Sequence, residues 1–319
     1  MQVLDERHCI IKTPEVIDYL HRCALSEPSL AAVVTDLQPN PQEWGSSALH
    51  FAAHLRATGE PVLVKLNVEP GQLWWTRALA REYPALIPHV YAAGKRVANE
   101  ALGWVVWEIV ENGLHPGWHG REFDMLLEAG VAFQRVARTL APAAQAAGVL
   151  GELRVADLAA DLERGVQRDA PGPAALVLER VLDDWEWVNS VCEPTICHGD
   201  LHMANALCRE HPPGGTALLI DYHPTLMPWA YEPAKPEILN ADPARAGCRN
   251  LVAREAAIRA RHGMSVPAAA ALARLQAIVL GWWAVQAWAY IGGSPDPAWR
   301  DPAVWRAENE AYIAAAAAA

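Results

Sequence analysis

HGDLHMANALCREHPPGGTALLID, running from His198 to Asp221, places an aspartate in a loop, an asparagine five residues on, and a second aspartate at the end of an apolar run. Gly199 favours a loop over an extended strand at its start. Ala206 to Glu210 and Ala217 to Asp221 are short strand-forming runs. Pro212, Pro213, Gly214 and Gly215 lie between them and predict a hairpin with a loop of about four residues. In that register Ala206 faces Asp221, and Asn205 is its diagonal neighbour. A strand spacing of about 5 Å then brings the Asn205 amide oxygen and the Asp221 carboxylate within reach of one cation. Asp200 enters the same open end from the preceding loop, so three oxygen-bearing side chains converge on one mouth.

Around this stretch lies a chain of 319 residues, 52% hydrophobic, long enough to bury a large core and to divide into two lobes. No run approaches eighteen uncharged apolar residues, and the N-terminus MQVLDERHC lacks the basic-then-apolar order of a signal peptide. A cytoplasmic protein with no membrane partner is expected. The six cysteines form no CxxC pair, which fits reduced thiols, and Cys197 beside His198 reads as a buried strand residue. A formal charge of -11 argues against nucleic acid as partner and would suit a cationic small substrate. Fourteen tryptophans, several in pairs, read first as core packing, with one or two available to stack on a planar substrate.

Upstream, Thr13 and Pro14 read as the cap and first position of a short helix ending about Ala24. Gly45, Ser46 and Ser47 form a small-residue turn between β-prone segments, a place where backbone amides and hydroxyls can meet phosphate. In PVLVKLNV, Pro61 to Val68, Lys65 shares a strand face with Leu63 and Asn67. Gln72 to Tyr83 is helix-like, and Leu102 to Val110 is a nearly continuous apolar strand before Asn112 and Gly113. The change from β-rich to helix-rich sequence there sets the expected domains at 1–111 and 112–319. Beyond it, Arg121 to Leu140 and Leu176 to Val191 read as helices, and YHPTLMPWAYEPAKPEIL as proline-punctuated and irregular. Further helices are expected at Pro243 to His262, Pro267 to Tyr290 and from Pro302, with Ala314 to Ala319 set aside as low complexity.

The order of these parts, a Gly-Ser turn, a strand lysine, an apolar strand into a linker, then HGDxxxxN and a strand ending in IDY, resembles the aminoglycoside phosphotransferase and choline kinase superfamily. The resemblance covers Val33 to Asp221. It implies an α+β, bilobal protein-kinase-like fold with a β-rich N-lobe and a mainly helical C-lobe. It further implies that Asp200 is the catalytic aspartate, that Asn205 and Asp221 hold Mg²⁺, and that Lys65 pairs with the phosphates of ATP or GTP. Ser46 and Ser47 take the phosphate-loop position. The backbone of Glu108 and Val110 takes the linker position that hydrogen-bonds adenine, and Ile109 lines the base pocket. The helix glutamate expected beside Lys65 falls near Glu82 counting forward, near Trp74 counting back, with Glu69 a third option.

The activity so implied is transfer of the γ-phosphate to a hydroxyl of a small acceptor by a monomer or homodimer. The expected acceptor is an antibiotic of aminoglycoside or nucleoside type, in resistance or self-resistance; choline, ethanolamine or a sugar are alternatives. Asp124, Glu232 and Glu237 are candidate acceptor contacts. Two rival classes remain. A metal-dependent hydrolase would use His198, Asp200 and His202, leaving Asn205 and Lys65 without a role. A non-catalytic nucleotide-binding protein would bind without turnover.

Overall fold

A computed structural model describes residues 2–6, 8–40, 48–114, 120–212, 214–240, 246–291 and 301–319. The architecture is α+β, sheet-rich first and helical after. It falls into two compact units, Met1–Glu111 with Ala143–Val149, and Asn112–Pro142 with Leu150–Ala319. No helix among the described residues is long and apolar enough to cross a membrane. All six cysteines are free.

The first unit opens with α1 (Pro14–Ser26), capped by Thr13, whose side chain accepts from Val16 N–H at 3.4 Å, and with the single turn α2 (Pro28–Ala31). Five strands follow, β1 (Val34–Pro39), β2 (Leu49–Leu55), β3 (Pro61–Val68), β4 (Val90–Gly94) and β5 (Gly103–Glu108), with α3 (Pro70–Glu82) between β3 and β4. They form one antiparallel sheet in the order β1-β2-β3-β5-β4. Along β2, Leu49, Phe51, Ala53 and Leu55 are buried while alternate residues emerge, the period of a one-sided strand. Near-continuous burial of Gly103–Trp107 marks β5 as covered on both faces. Trp75 Nε1 donates to Val149 O at 2.9 Å, tying the segment Ala143–Val149 to this unit.

The second unit begins with the two-residue strand β6 (Asn112–Gly113) and α4 (Arg121–Ala146), whose last turn belongs to the first unit. After β7 (Gly151–Glu152) come α5 (Val155–Gln167), α6 (Ala174–Glu179) and α7 (Val181–Val191); the single helix expected from Leu176 is two, parted at Arg180. Four strands, β8 (Pro194–Cys197), β9 (Ala206–Cys208), β10 (Ala217–Leu219) and β11 (Thr225–Pro228), join β6 and β7 in two small sheets ordered β10-β9-β6 and β7-β11-β8. The stretch read as irregular contains β11 and a helix, α8 (Tyr231–Leu239). Pro233 falls in the first turn of α8, where no intrahelical N–H bond is lost.

Helices α9 (Leu251–Arg261), α10 (Ala269–Ile291) and α11 (Pro302–Ala318) complete the unit. From Ile278 to Ala289 nearly every residue of α10 is buried, as befits a helix packed on all sides. The alanine tail set aside as low complexity is the end of α11, with Ile313 and Ala316 buried. Small residues permit this close packing: a Cβ on Gly281 would stand 2.1 Å from Ala316 Cβ. Alanine at position 281 would gain about 1 kcal/mol of helix propensity. The clash with a Cβ that no rotamer can move costs more, about 1–3 kcal/mol. Gly281→Ala should therefore lower stability in chemical unfolding, and adding Ala316→Gly should recover part of the loss.

Candidate active site

The loop between β8 and β9 is built on one buried carboxylate. Glu232, in the first turn of α8 and 3% exposed, accepts from His198 N–H at 3.1 Å and from Gly199 N–H at 2.6 Å. Gly199 has φ +87°, and a Cβ there would lie 1.9 Å from His223 O, so only glycine fits. His198 is fully buried. Its Nδ1 accepts from Asp200 N–H at 3.3 Å, and Nε2 lies 3.1 Å from Ile220 O. A carbonyl only accepts, so the proton sits on Nε2 and the ring is neutral. Burial pushes the imidazole down to about 3, keeping it neutral.

This turn presents Asp200 with both carboxylate oxygens engaged. Oδ2 accepts from Asn205 Nδ2 at 2.9 Å and lies 3.4 Å from His202 Nε2. Oδ1 is paired with the Lys235 ammonium of α8. Burial alone would raise the carboxyl, but His202 and Lys235 together outweigh it and hold the group well below the usual carboxylate range. Asp200 is therefore ionised at neutral pH and partly open to solvent.

Asn205, 6% exposed, also donates from Nδ2 to Asp200 O at 2.9 Å. Both donor contacts fall on its nitrogen, so the amide oxygen is the atom that would take a cation. Ile220 N–H donates to Asn205 O at 3.0 Å, setting Asp221, with φ +54°, next along the chain. The hairpin register differs from the expected one. Ala206 pairs with Leu219, not Asp221, and the strands are three residues each, parted by Arg209–Thr216. The strands end early because the chain already turns at Arg209 and Glu210, and Gly214 N–H donates to His211 O at 3.0 Å. Asn205 immediately precedes β9 and Asp221 follows β10 by two residues, so both lie at one end of the hairpin. An amide oxygen and a carboxylate there are the hard oxygen donors that Mg²⁺ takes, so the residues present fit that ion.

In the first unit, Lys65 lies on β3 between His50 of β2 and Val105 of β5, 9% exposed rather than snorkelling from an edge. Of its expected partners, Glu82 pairs with Arg81 at 2.7 Å. Glu108 ends β5, and its N–H donates to His89 O at 2.9 Å, so any contact it makes to a base is through its carbonyl. Ile109 is 46% exposed and Val110 half-buried. Ser46 and Ser47 lie outside the described residues.

The three candidate acceptor contacts are engaged elsewhere. Glu232 holds the loop. Glu237 is buried, accepting from Leu251 N–H at 2.7 Å and Tyr312 O–H at 3.1 Å. Asp124 pairs with Arg254 at 2.6 Å. The hydrolase arrangement fails on His198, whose two ring nitrogens are committed to the backbone. Among the described residues no three His, Cys, Asp or Glu side chains gather as a metal-ligand set. Lys235 escaped the sequence reading because Pro233 and Pro236 hid its helix; its spacing of three from Glu232 was the available signal.

No protein-family model and no curated protein sequence matches the chain. Solved structures do. A thermostable mutant of aminoglycoside phosphotransferase APH(4)-Ia, in its apo form, aligns with TM-score 0.53 and 14% identity over 94% of this chain and 100% of its own. Amicoumacin kinase hAmiN, in complex with AMP-PNP, Ca²⁺ and Ami, gives 0.53 and 13% over 94% and 96%. Choline kinase from Cryptosporidium parvum Iowa II gives 0.52 and 9% over 95% of each chain. The chain has the protein-kinase-like fold of these proteins.

Burial raises the Glu232 carboxyl from about 4.5 to about 7, against the two N–H bonds that favour its charge. Between those values the folded state binds more protons than the unfolded chain, so this group's contribution to stability falls as pH rises, by up to about 1.4 kcal/mol per pH unit. Glu232→Gln turns an amide NH₂ toward one of the two donors and should cost about 1–3 kcal/mol at pH near 5. The deficit should shrink toward pH 8 in urea unfolding, because the amide does not titrate. A deficit that grows with pH would contradict this account.

Proposed function

We propose that the chain is an ATP- or GTP-dependent small-molecule kinase that transfers the γ-phosphoryl group to an acceptor hydroxyl. The observation that carries the proposal is the environment of Asp200: an ionised carboxylate on a glycine turn, hydrogen-bonded to Asn205, whose backbone oxygen takes the N–H of Ile220 just before Asp221. The fold shared with an aminoglycoside phosphotransferase, amicoumacin kinase and choline kinase supports the same reading.

In the proposed reaction the bond between the γ-phosphorus and the β,γ-bridging oxygen breaks, and a new bond forms from the acceptor oxygen to phosphorus. The acceptor's proton passes to Asp200. A carboxylate this acidic is a weak base, which suffices because phosphoryl transfer has a loose transition state that needs orientation more than proton abstraction. The Asn205 amide oxygen and the Asp221 carboxylate would hold Mg²⁺, which when bound offsets phosphate charge. Lys65 would hold nucleotide phosphates as a point charge. The neighbours' acceptors, an aminoglycoside, amicoumacin and choline, make hydroxylated antibiotics and amino alcohols the first compounds to screen, in keeping with a role in resistance.

A coupled nucleotide-consumption screen against hydroxylated natural products, with and without Mg²⁺, tests the proposal. Asp200→Ala should lower kcat by at least about a hundredfold while leaving nucleotide affinity within a few-fold of wild type. Asn205→Ala, Asp221→Ala and Lys65→Ala should instead weaken nucleotide binding. Clear nucleotide binding with no consumption across the panel would favour a binding protein, and zinc-dependent turnover without nucleotide would favour a hydrolase.

A further inference from the structure

Lys235 is the feature of this site that neither the sequence motif nor the proposed chemistry requires. Its ammonium pairs with Asp200 Oδ1, the oxygen not taken by Asn205 and His202. On its other side it lies 5.5 Å from the centre of the Trp283 ring. That ring is fixed, because Trp283 Nε1 donates to Tyr231 O at 2.7 Å and the Tyr231 ring packs on it at 5.0 Å. The lysine side chain keeps 20% of its surface and Asp200 28%, so the pair borders open space. It is not needed to dock α8 on the loop, since Glu232 does so through two backbone N–H groups.

A hydroxyl that reaches Asp200 must therefore approach Oδ1 beside a tethered ammonium. In a site without Lys235, an amino-bearing acceptor would place its own cation against this aspartate. Here that position is taken by a cation that carries no translational entropy to lose. Taken alone, the ammonium disfavours a second positive charge about 4 Å away about fivefold in water-like surroundings and favours an anion by a similar factor; the paired Asp200 carboxylate offsets part of this until it accepts the acceptor's proton.

Resting on the phosphotransferase reading of this site, we propose that Lys235 selects the acceptor, and that the acceptor carries a carboxylate or phosphate close to the hydroxyl that is phosphorylated. Amino alcohols and aminoglycosides that place an ammonium next to that hydroxyl are disfavoured against such acids. The acidic charge of the whole chain points toward cationic substrates, but a charge in contact with the reacting group outweighs charges more than a Debye length of about 8–10 Å away.

Three matched probes test this: D-glycerate, glycerol and 3-amino-1,2-propanediol, each followed by ligand-induced shift in melting temperature and by nucleotide consumption. Glycerate should stabilise the wild-type protein more than the other two. Lys235→Met should weaken that stabilisation about tenfold in apparent affinity, and Lys235→Glu should shift the preference to the amino diol. The proposal is overturned if the amino diol stabilises wild type as well as glycerate does, if glycerate gives no shift, or if its shift survives Lys235→Met. The melting arm needs no turnover, so it judges Lys235 even where nucleotide consumption fails and the phosphotransferase reading falls. Comparing glycerate with glycerol 3-phosphate separates a carboxylate from a phosphate preference.

Discussion

The second unit depends on a carboxylate taken out of water to hold two backbone N–H groups. Glu232 grips His198 and Gly199 from the first turn of α8. With these amides fixed, Gly199 can stay in its left-handed conformation against His223 O, and His223 N–H can return a bond to His198 O at 2.8 Å. The loop is thereby closed on itself before any functional side chain is considered. His198 adds the last tie, reaching Ile220 O and so linking the loop to the chain just before Asp221. A buried charge is costly, and the raised pKa of Glu232 measures that cost; the return is a loop whose polar backbone groups have found partners.

From this follows a division of labour that is chemical rather than positional. Groups that hold the loop, Glu232 and His198, are buried and pushed by desolvation toward their neutral forms. Asp200, the group proposed to face substrate, is pushed the other way by its hydrogen bond with His202 and by the Lys235 ammonium, and stays charged. Environments that separate ionisable groups in this way are a recurrent means of assigning roles within one site. They also explain why a metal hydrolase cannot be assembled from HGDLH. The histidine that would have to ligate is the one whose nitrogens the backbone already holds.

Much of this was legible in the sequence because it is local. Within HGDLHMAN the contacts of Asp200 with His198, His202 and Asn205 are local, so its spacing carries that part of the geometry, while Glu232, Ile220 and His223 close the loop from farther along the chain. The hairpin was read two residues out of register, since the proline and glycine run marks a turn but not where the strands stop. The boundary of α8 was not legible. Prolines at 233 and 236 argue against a helix, and what stabilises it is tertiary: Glu232 on the loop, Tyr231 hydrogen-bonded to Gln286, and Ile238 in the core. Local propensity was overridden there by partners far along the chain. The tryptophans show the same limit. Composition promised a core, and Trp75, Trp229, Trp282 and Trp305 are fully buried, but nothing in their spacing distinguishes half-buried Trp283 as the one beside Lys235.

Net charge is the least local reading of all. An excess of eleven acidic charges describes the average field far from the surface, where it governs solubility and encounter. At a hydroxyl about to receive phosphate, the field is set by the few charges within a Debye length. There the acid is Asp200, already matched by Lys235, so the net local charge is near zero before any ligand arrives. An acceptor that donates its hydroxyl proton to Asp200 neutralises the carboxylate and leaves the ammonium as the uncompensated charge. The preference for a nearby anion would therefore grow along the reaction, and would bear on kcat as well as on binding.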